Sequence, residues 1–152
     1  MTQDTEPSDP GEARIEAPLT ADAHVVFIGR LRTPFARPED CPRQGDIEAG
    51  PECRAVLDPV YLPALQGLEP GATLDLLYWL DRSRRDLLTQ SRKSDGAPRG
   101  TFSLRSPVRP NPIGLSQVRL LRREGDALVL RGLDCVDGTP LLDIKPAKCP
   151  NA

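Results

Sequence analysis

Arginine, asparagine and proline are packed closely in the stretch Arg105-Ser106-Pro107-Val108-Arg109-Pro110-Asn111-Pro112. Each proline fixes its own φ and pushes the residue before it (Ser106, Arg109, Asn111) out of the helical region. Residues 106–113 are therefore expected to form a stiff, extended loop with little freedom to lose when a ligand binds. On such a loop Arg105 and Arg109 offer planar donors and Asn111 a paired donor and acceptor, suited to a nucleobase edge or a carboxylate. The same residues also describe an ordinary proline-rich crossover between strands.

Basic charge collects just ahead of this loop. The net charge of −2 hides an acidic start, in which residues 1–22 hold six acids and a single base, Arg14. From Arg82 to Arg109 there are eight basic residues, seven of them arginine, against two acids. Arginine pairs phosphate bidentately and stacks on bases, so Arg82, Arg84, Arg85 and Arg92 could meet an RNA backbone. The alternative is a solvated arginine face. Cys41, Cys53, Cys135 and Cys149 form no C-x-x-C pair and His24 is the only histidine, so no metal site, disulfide framework or Ser-His-Asp triad is expected. With no run of 18 apolar residues and no apolar N-terminal segment, the expected protein is soluble, cytoplasmic and without membrane contact.

At 152 residues, with 17 prolines and 12 glycines, the composition favours one domain of strands and turns. Residues 1–22 are expected to be a disordered acidic tail, and 23–148 the folded domain. Strands are expected at Ala23–Leu31, Glu52–Leu57, Thr73–Leu80, Leu115–Arg122, Ala127–Leu133 and Leu141–Ile144, with Thr73–Leu80 buried on both faces. Asp58–Leu68 reads as a short helix, with Asp58 at its cap and Pro59 in its first turn. Ser83–Gln90 could form a helical turn, and Ser91–Pro98 a mobile loop. Closely spaced strands with one or two short helices predict an all-β fold, a small closed or partly open β-barrel. Neither G-x-G-x-x-G nor a phosphate-binding P-loop occurs, which excludes a Rossmann-type nucleotide site.

Two long motifs carry a resemblance. Thr-Phe-Ser-Leu-Arg-Ser-Pro-Val-Arg-Pro-Asn-Pro-Ile-Gly-Leu-Ser at 101–116 and Leu-Asp-Cys-Val-Asp-Gly-Thr-Pro-Leu-Leu-Asp-Ile-Lys-Pro at 133–146 closely resemble the TsaA-like family. The resemblance runs from about Val25 to Pro146. It implies a β-barrel that uses S-adenosyl-L-methionine to methylate N6 of threonylcarbamoyladenosine beside the tRNA anticodon, working as a homodimer. It also implies that Pro42, Arg43 and Gln44 line the methyl donor's pocket with Asp81, Arg82, Arg105, Gln117, Asp137, Gly138, Thr139 and Pro140. From their own chemistry, Asn111 could orient the substrate base, Arg109 could engage its threonyl carboxylate or a phosphate, and Arg84 and Arg85 could meet the RNA backbone. Against the family pattern, Gln117 stands where an apolar residue is common and Ala147 where an aromatic one is. The chain resembles a short form lacking the C-terminal domain of longer bacterial members.

Methyl transfer from a sulfonium asks the protein to align three atoms, exclude water and aid the loss of one proton. Arg43 or Arg105 could hold the donor's carboxylate. Asp134, Asp137 and Asp143 are the acids near the second motif, and the sequence does not choose a base among them. The alternatives are a methyltransferase acting on another RNA or a small molecule, and a non-catalytic module that binds S-adenosylmethionine or RNA.

Overall fold

The computed structural model describes residues 11–91 and 96–148. Arg92 and Cys149 lie outside them, as does half of the loop expected at 91–98. The chain divides into two compact units, one of residues 23–81 with 113–148 and the other of residues 11–22 with 82–112.

The larger unit is a closed barrel of six antiparallel strands, which bears out the expected fold class. Its strands are β1 (Gly29–Arg32), β2 (Glu52–Leu57), β3 (Thr73–Trp79), β6 (Ile113–Glu124), β7 (Ala127–Arg131) and β8 (Pro140–Pro146), numbered with β4 and β5 of the smaller unit. Around the ring they follow the order β1-β2-β7-β6-β3-β8. Alternation explains the closure, because every second side chain turns inward. Leu74, Leu76 and Tyr78 of β3 meet Val118 and Leu120 of β6, Leu128 and Leu130 of β7, and Leu141 of β8 in one buried core. Burying each such leucine contributes roughly 1.5–3 kcal/mol.

Several boundaries differ from those the sequence predicts. Strand β3 is buried on one face only, with Thr73, Asp75, Leu77 and Trp79 half-exposed on the other, so its apolar run is not a two-sided burial. The first strand shrinks to Gly29–Arg32, and Val25 and Val26 are exposed. The expected helix at 58–68 is a 3-10 helix at Pro59–Leu65 with Pro63 inside it. Proline lacks the N–H that an α-helix interior needs, and the tighter turn tolerates this over a short length.

Outside the barrel, Arg122 of β6 grips both oxygens of Glu52 at 3.0 and 3.1 Å and Glu124 at 2.7 Å, while Arg54 reaches Glu124 at 2.6 Å. Arg122 holds the Glu52 carboxyl below its ordinary value, and Arg54, then Arg122, does the same for Glu124. A depressed acid contributes stability above its unfolded value, near 4.5, which is lost as pH falls through the folded value. Melting temperature should therefore fall from about pH 5 to about pH 3, and less steeply in Glu124→Gln. Identical slopes in thermal melts across that range would assign the acid sensitivity to other carboxylates.

In the smaller unit β4 (Thr89–Ser91) pairs antiparallel with β5 (Pro98–Gly100). The segment 83–90 is no helix. Ile15 N donates to Asp86 O at 2.7 Å, and Leu88 N to Ala13 O at 2.7 Å, so extended backbone on both sides satisfies the donors a helix would have used. Residues 11–15, within the stretch read as an acidic tail, thus supply half of this pairing.

Candidate functional site

The barrel's register gathers its functional loops at one end. Strands β1, β3 and β7 finish, and β2, β6 and β8 begin, at the same rim. The loops 33–51 and 132–139 and the Trp79–Asp81 exit therefore share that rim, although they lie far apart in sequence.

Loops 33–51 and 132–139 are bonded to one another. Asp137 N donates to Phe35 O at 2.8 Å and Gly138 N to Leu31 O at 2.8 Å. Thr33 N donates to Asp137 Oδ1 at 3.1 Å, and the Thr33 hydroxyl to Cys135 O at 2.7 Å. Gly138 takes φ 83°, the left-handed turn that an Asp-Gly pair favours. Further along, Gly45 lies so close to Gly132 that a Cβ on it would sit 1.7 Å from the Gly132 carbonyl oxygen. This backbone contact holds the exposed Pro42, Arg43 and Gln44 beside the 133–139 connection. The two loops expected to bind the methyl donor, 42–44 and 137–140, are thereby placed on one rim.

A hydroxyl cluster that the sequence reading did not find lies at this rim. Tyr78 donates to Asp134 Oδ1 at 2.8 Å, and Ser116 donates to the same oxygen at 3.1 Å. The two hydroxyls are 2.7 Å apart. The Tyr78 ring lies flat on Gly114, where a Cβ would fall 2.1 Å from Cε2. Burial, and then the Asp134 charge, push the Tyr78 phenol well above its ordinary value. Burial pushes the Cys135 thiol up to about 12, and Cys41 is raised by burial and next by Asp134. One readable signal was Ser116, a hydroxyl among inward-facing Gly114, Val118 and Leu120, which needs a buried partner.

The remaining expected residues are more scattered. Asp81 is exposed just past β3, and Gln117 is exposed on the outward side of β6 opposite Asp75. Asp143, also outward, accepts from its own Ile144 N at 2.9 Å and pairs with Lys145 at 3.1 Å. Among the described residues no group of three or more His, Cys, Asp or Glu could hold a metal ion, and no helix is long and apolar enough to cross a membrane.

Within the smaller unit the arginines mostly hold structure together. Arg84 forks onto Asp86 at 2.7 and 2.9 Å. Arg85 donates to Pro110 O at 2.6 Å and to Asn111 Oδ1 at 3.4 Å. Arg109 donates from Nη1 to the carbonyls of Leu104 and Ser106 at 2.9 and 3.0 Å, which ties it to its own loop. Gln90 clamps the same loop through Val108 O at 2.8 Å. Arg82, Arg99 and Arg105 are exposed.

Comparison with known proteins follows this architecture. Residues 30–148 match the family model described as the tRNA-methyltransferase O N-terminal domain. A probable S-adenosyl-L-methionine-binding protein, VirR of Rhizobium radiobacter, is 49% identical over 135 residues, covering 89% of this chain and 77% of its own. The human tRNA (adenine(37)-N6)-methyltransferase is 34% identical over 126 residues, 78% of this chain but 29% of that protein. A crystal structure of TrmO from Pseudomonas aeruginosa superposes with a TM-score of 0.66 at 33% identity, covering 84% of this chain and 57% of that one. The chain thus spans little more than half the length of the solved protein. With more than two thirds of its residues inside the matched region, the chain belongs to the tRNA-methyltransferase O N-terminal domain family.

Proposed function

We propose that this protein binds S-adenosyl-L-methionine on the barrel rim and methylates N6 of a modified adenine, threonylcarbamoyladenosine, next to the anticodon of tRNA. The observation that carries the reading is the meeting of loops 42–44 and 137–140 on one rim around Asp134. The residues there fit such a donor. Exposed peptide groups at 42–44 can read an adenine edge, Arg43 can take a carboxylate, and a carboxylate oxygen suits a cationic or hydroxyl-bearing ligand. When bound, S-adenosylmethionine supplies an activated methyl group on a sulfonium. The chain's own part is to hold the rim loops rigid through the Gly45–Gly132 contact, to orient the Asp134 carboxylate, and to offer its acceptors in place of water.

Release of S-adenosylhomocysteine with tRNA, together with mass spectrometry of the tRNA nucleosides, tests the reading. N6-methylated threonylcarbamoyladenosine supports it. Methylation of another RNA or of a small molecule, or tight donor binding without turnover, replaces it with one of the alternatives. Cytoplasmic location and a homodimer belong to the same proposal. Half-exposed Leu77 and Trp79 beside Ile113 and Leu115, 41% and 46% exposed, give the barrel an outward apolar strip that favours pairing. Light scattering that shows a monomer with donor bound would remove the dimer.

For RNA, exposed Arg82 is the proposed backbone contact in place of Arg84, whose fork is occupied within the fold. Changing Arg82 to glutamine should lower the log–log salt slope of tRNA binding by roughly 0.7–0.9. An unchanged slope would leave this arginine as solvated surface.

A further inference from the structure

We propose that Asp134 is the base of the methyl transfer, receiving the N–H proton of the accepting nitrogen on Oδ2. The inference deepens the methyltransfer reading above and rests on it.

Three acids stand in the segment 133–146 that lines or follows the rim, and their surroundings separate them. Asp137 is committed on both oxygens, accepting from Thr33 N at 3.1 Å and facing Arg32 at 3.7 Å. Asp143 lies on the outer surface with its oxygens on Ile144 N and Lys145. Asp134 alone has its two hydroxyl donors stacked on one oxygen, Oδ1, and leaves Oδ2 without a protein partner among the described residues. A half-buried carboxylate aimed from one side, with one oxygen left over, is arranged to accept from something the chain does not supply.

The groups around it point the same way. The titratable groups that interact with Asp134 come from three elements: Tyr78 on β3, Cys41 on the 33–51 loop and Cys135 beside it in the chain. All three are pushed upward by burial, so at neutral pH they are uncharged and none can serve as the acceptor. Two hydroxyl protons serve the three contacts of the Tyr78–Ser116–Asp134 cluster. Because Tyr78 and Ser116 donate to the carboxylate, they fix its rotamer, which makes them positioning residues.

The step balances without a further reactant. The nitrogen's lone pair forms the new N–CH3 bond, and the carbon–sulfur bonding pair leaves with sulfur, turning the sulfonium into a neutral thioether. The N–H bonding pair stays on nitrogen, and the proton passes to Asp134 Oδ2 and then to solvent at the rim. A nitrogen attached to a carbonyl is a poor nucleophile, so assistance from a base is worth about 10²–10⁴-fold.

Asp134→Asn is the decisive variant. Its amide oxygen still accepts from Tyr78 and Ser116, while an NH2 that cannot take a proton replaces Oδ2. Expected are a kcat lower by about 10²–10⁴-fold, S-adenosylhomocysteine affinity by calorimetry within about threefold of wild type, and the acidic limb of the rate–pH profile gone. Tyr78→Phe removes one donor that aims the carboxylate, so kcat should fall by about 10–100-fold while S-adenosylhomocysteine affinity stays within about threefold of wild type. An Asp134→Asn rate above a tenth of wild type overturns the assignment. So does affinity falling in step with rate, which would make Asp134 a donor-binding group, or an unchanged kcat in Tyr78→Phe. Wild-type protein that binds the donor yet methylates nothing overturns the methyltransfer reading and this one with it.

Discussion

Gly45→Ala is expected to lower kcat/KM by about 100-fold while the barrel still melts cooperatively. A Cβ at position 45 would lie 1.7 Å from the Gly132 carbonyl oxygen, and the obstacle is backbone, which cannot swing aside as a side-chain tip would. Gly132 is itself held at φ 119° against Gln117 O and the Ile47 side chain, so the 42–47 loop has to move by more than an ångström. Displacement of that size in positioning groups typically costs about 10²-fold in rate. The barrel core lies elsewhere, in Leu74, Leu76, Leu128 and Leu130, so global stability should drop far less than function. Calorimetry with S-adenosylhomocysteine and a thermal melt on the same sample make the comparison. Gly100→Ala is the matched control, since nothing lies within 4 Å of a Cβ there. Full donor affinity and activity in Gly45→Ala would detach the 42–44 loop from the site.

What could be read from the sequence follows from what is local. Closely spaced strands with few helices announced the barrel, because each strand and turn is a property of one segment at a time. The Asp137-Gly138 turn was likewise readable in two residues. The hydroxyl cluster was not, because Tyr78 reaches Ser116 and Asp134 across separations of 38 and 56 residues, and only the register of β3 on β6 brings them together. The smaller unit misled for the same reason. Ser83–Gln90 read as a possible helical turn, yet the backbone partners of Asp86 to Leu88 lie at 13–15, more than seventy residues away. The Arg84–Asp86 pair is local, since side chains two residues apart lie on the same face of an extended chain. The fate of Arg109 depended on how the prolines bend residues 104–110 back on themselves, which their fixed φ values alone do not reveal.

Gly114→Ala should destabilise the barrel wall strongly for a one-methyl change, and a double-mutant cycle can show why. An added Cβ would meet the Tyr78 ring at 2.1 Å from Cε2 and 2.6 Å from Cδ2 and Cζ. The ring has no room to yield, being 3% exposed within the core and tied at its hydroxyl to Ser116 and Asp134. Overpacking of this kind costs about 1–3 kcal/mol, occasionally more. For a chain of this length each kcal/mol lowers the melting temperature by roughly 2–4 °C. The hydroxyl cluster should loosen as well, since a ring pushed off Gly114 carries its O–H away from Asp134. In a Tyr78→Leu background the obstacle is gone, and the same Gly114→Ala change should cost only a few tenths of a kcal/mol, giving a coupling of about 1 kcal/mol or more. Equal costs in the two backgrounds would mean that the backbone at 114, and not the tyrosine ring, demands glycine, and the close stacking of Tyr78 on β6 would then not be what aims its hydroxyl at Asp134.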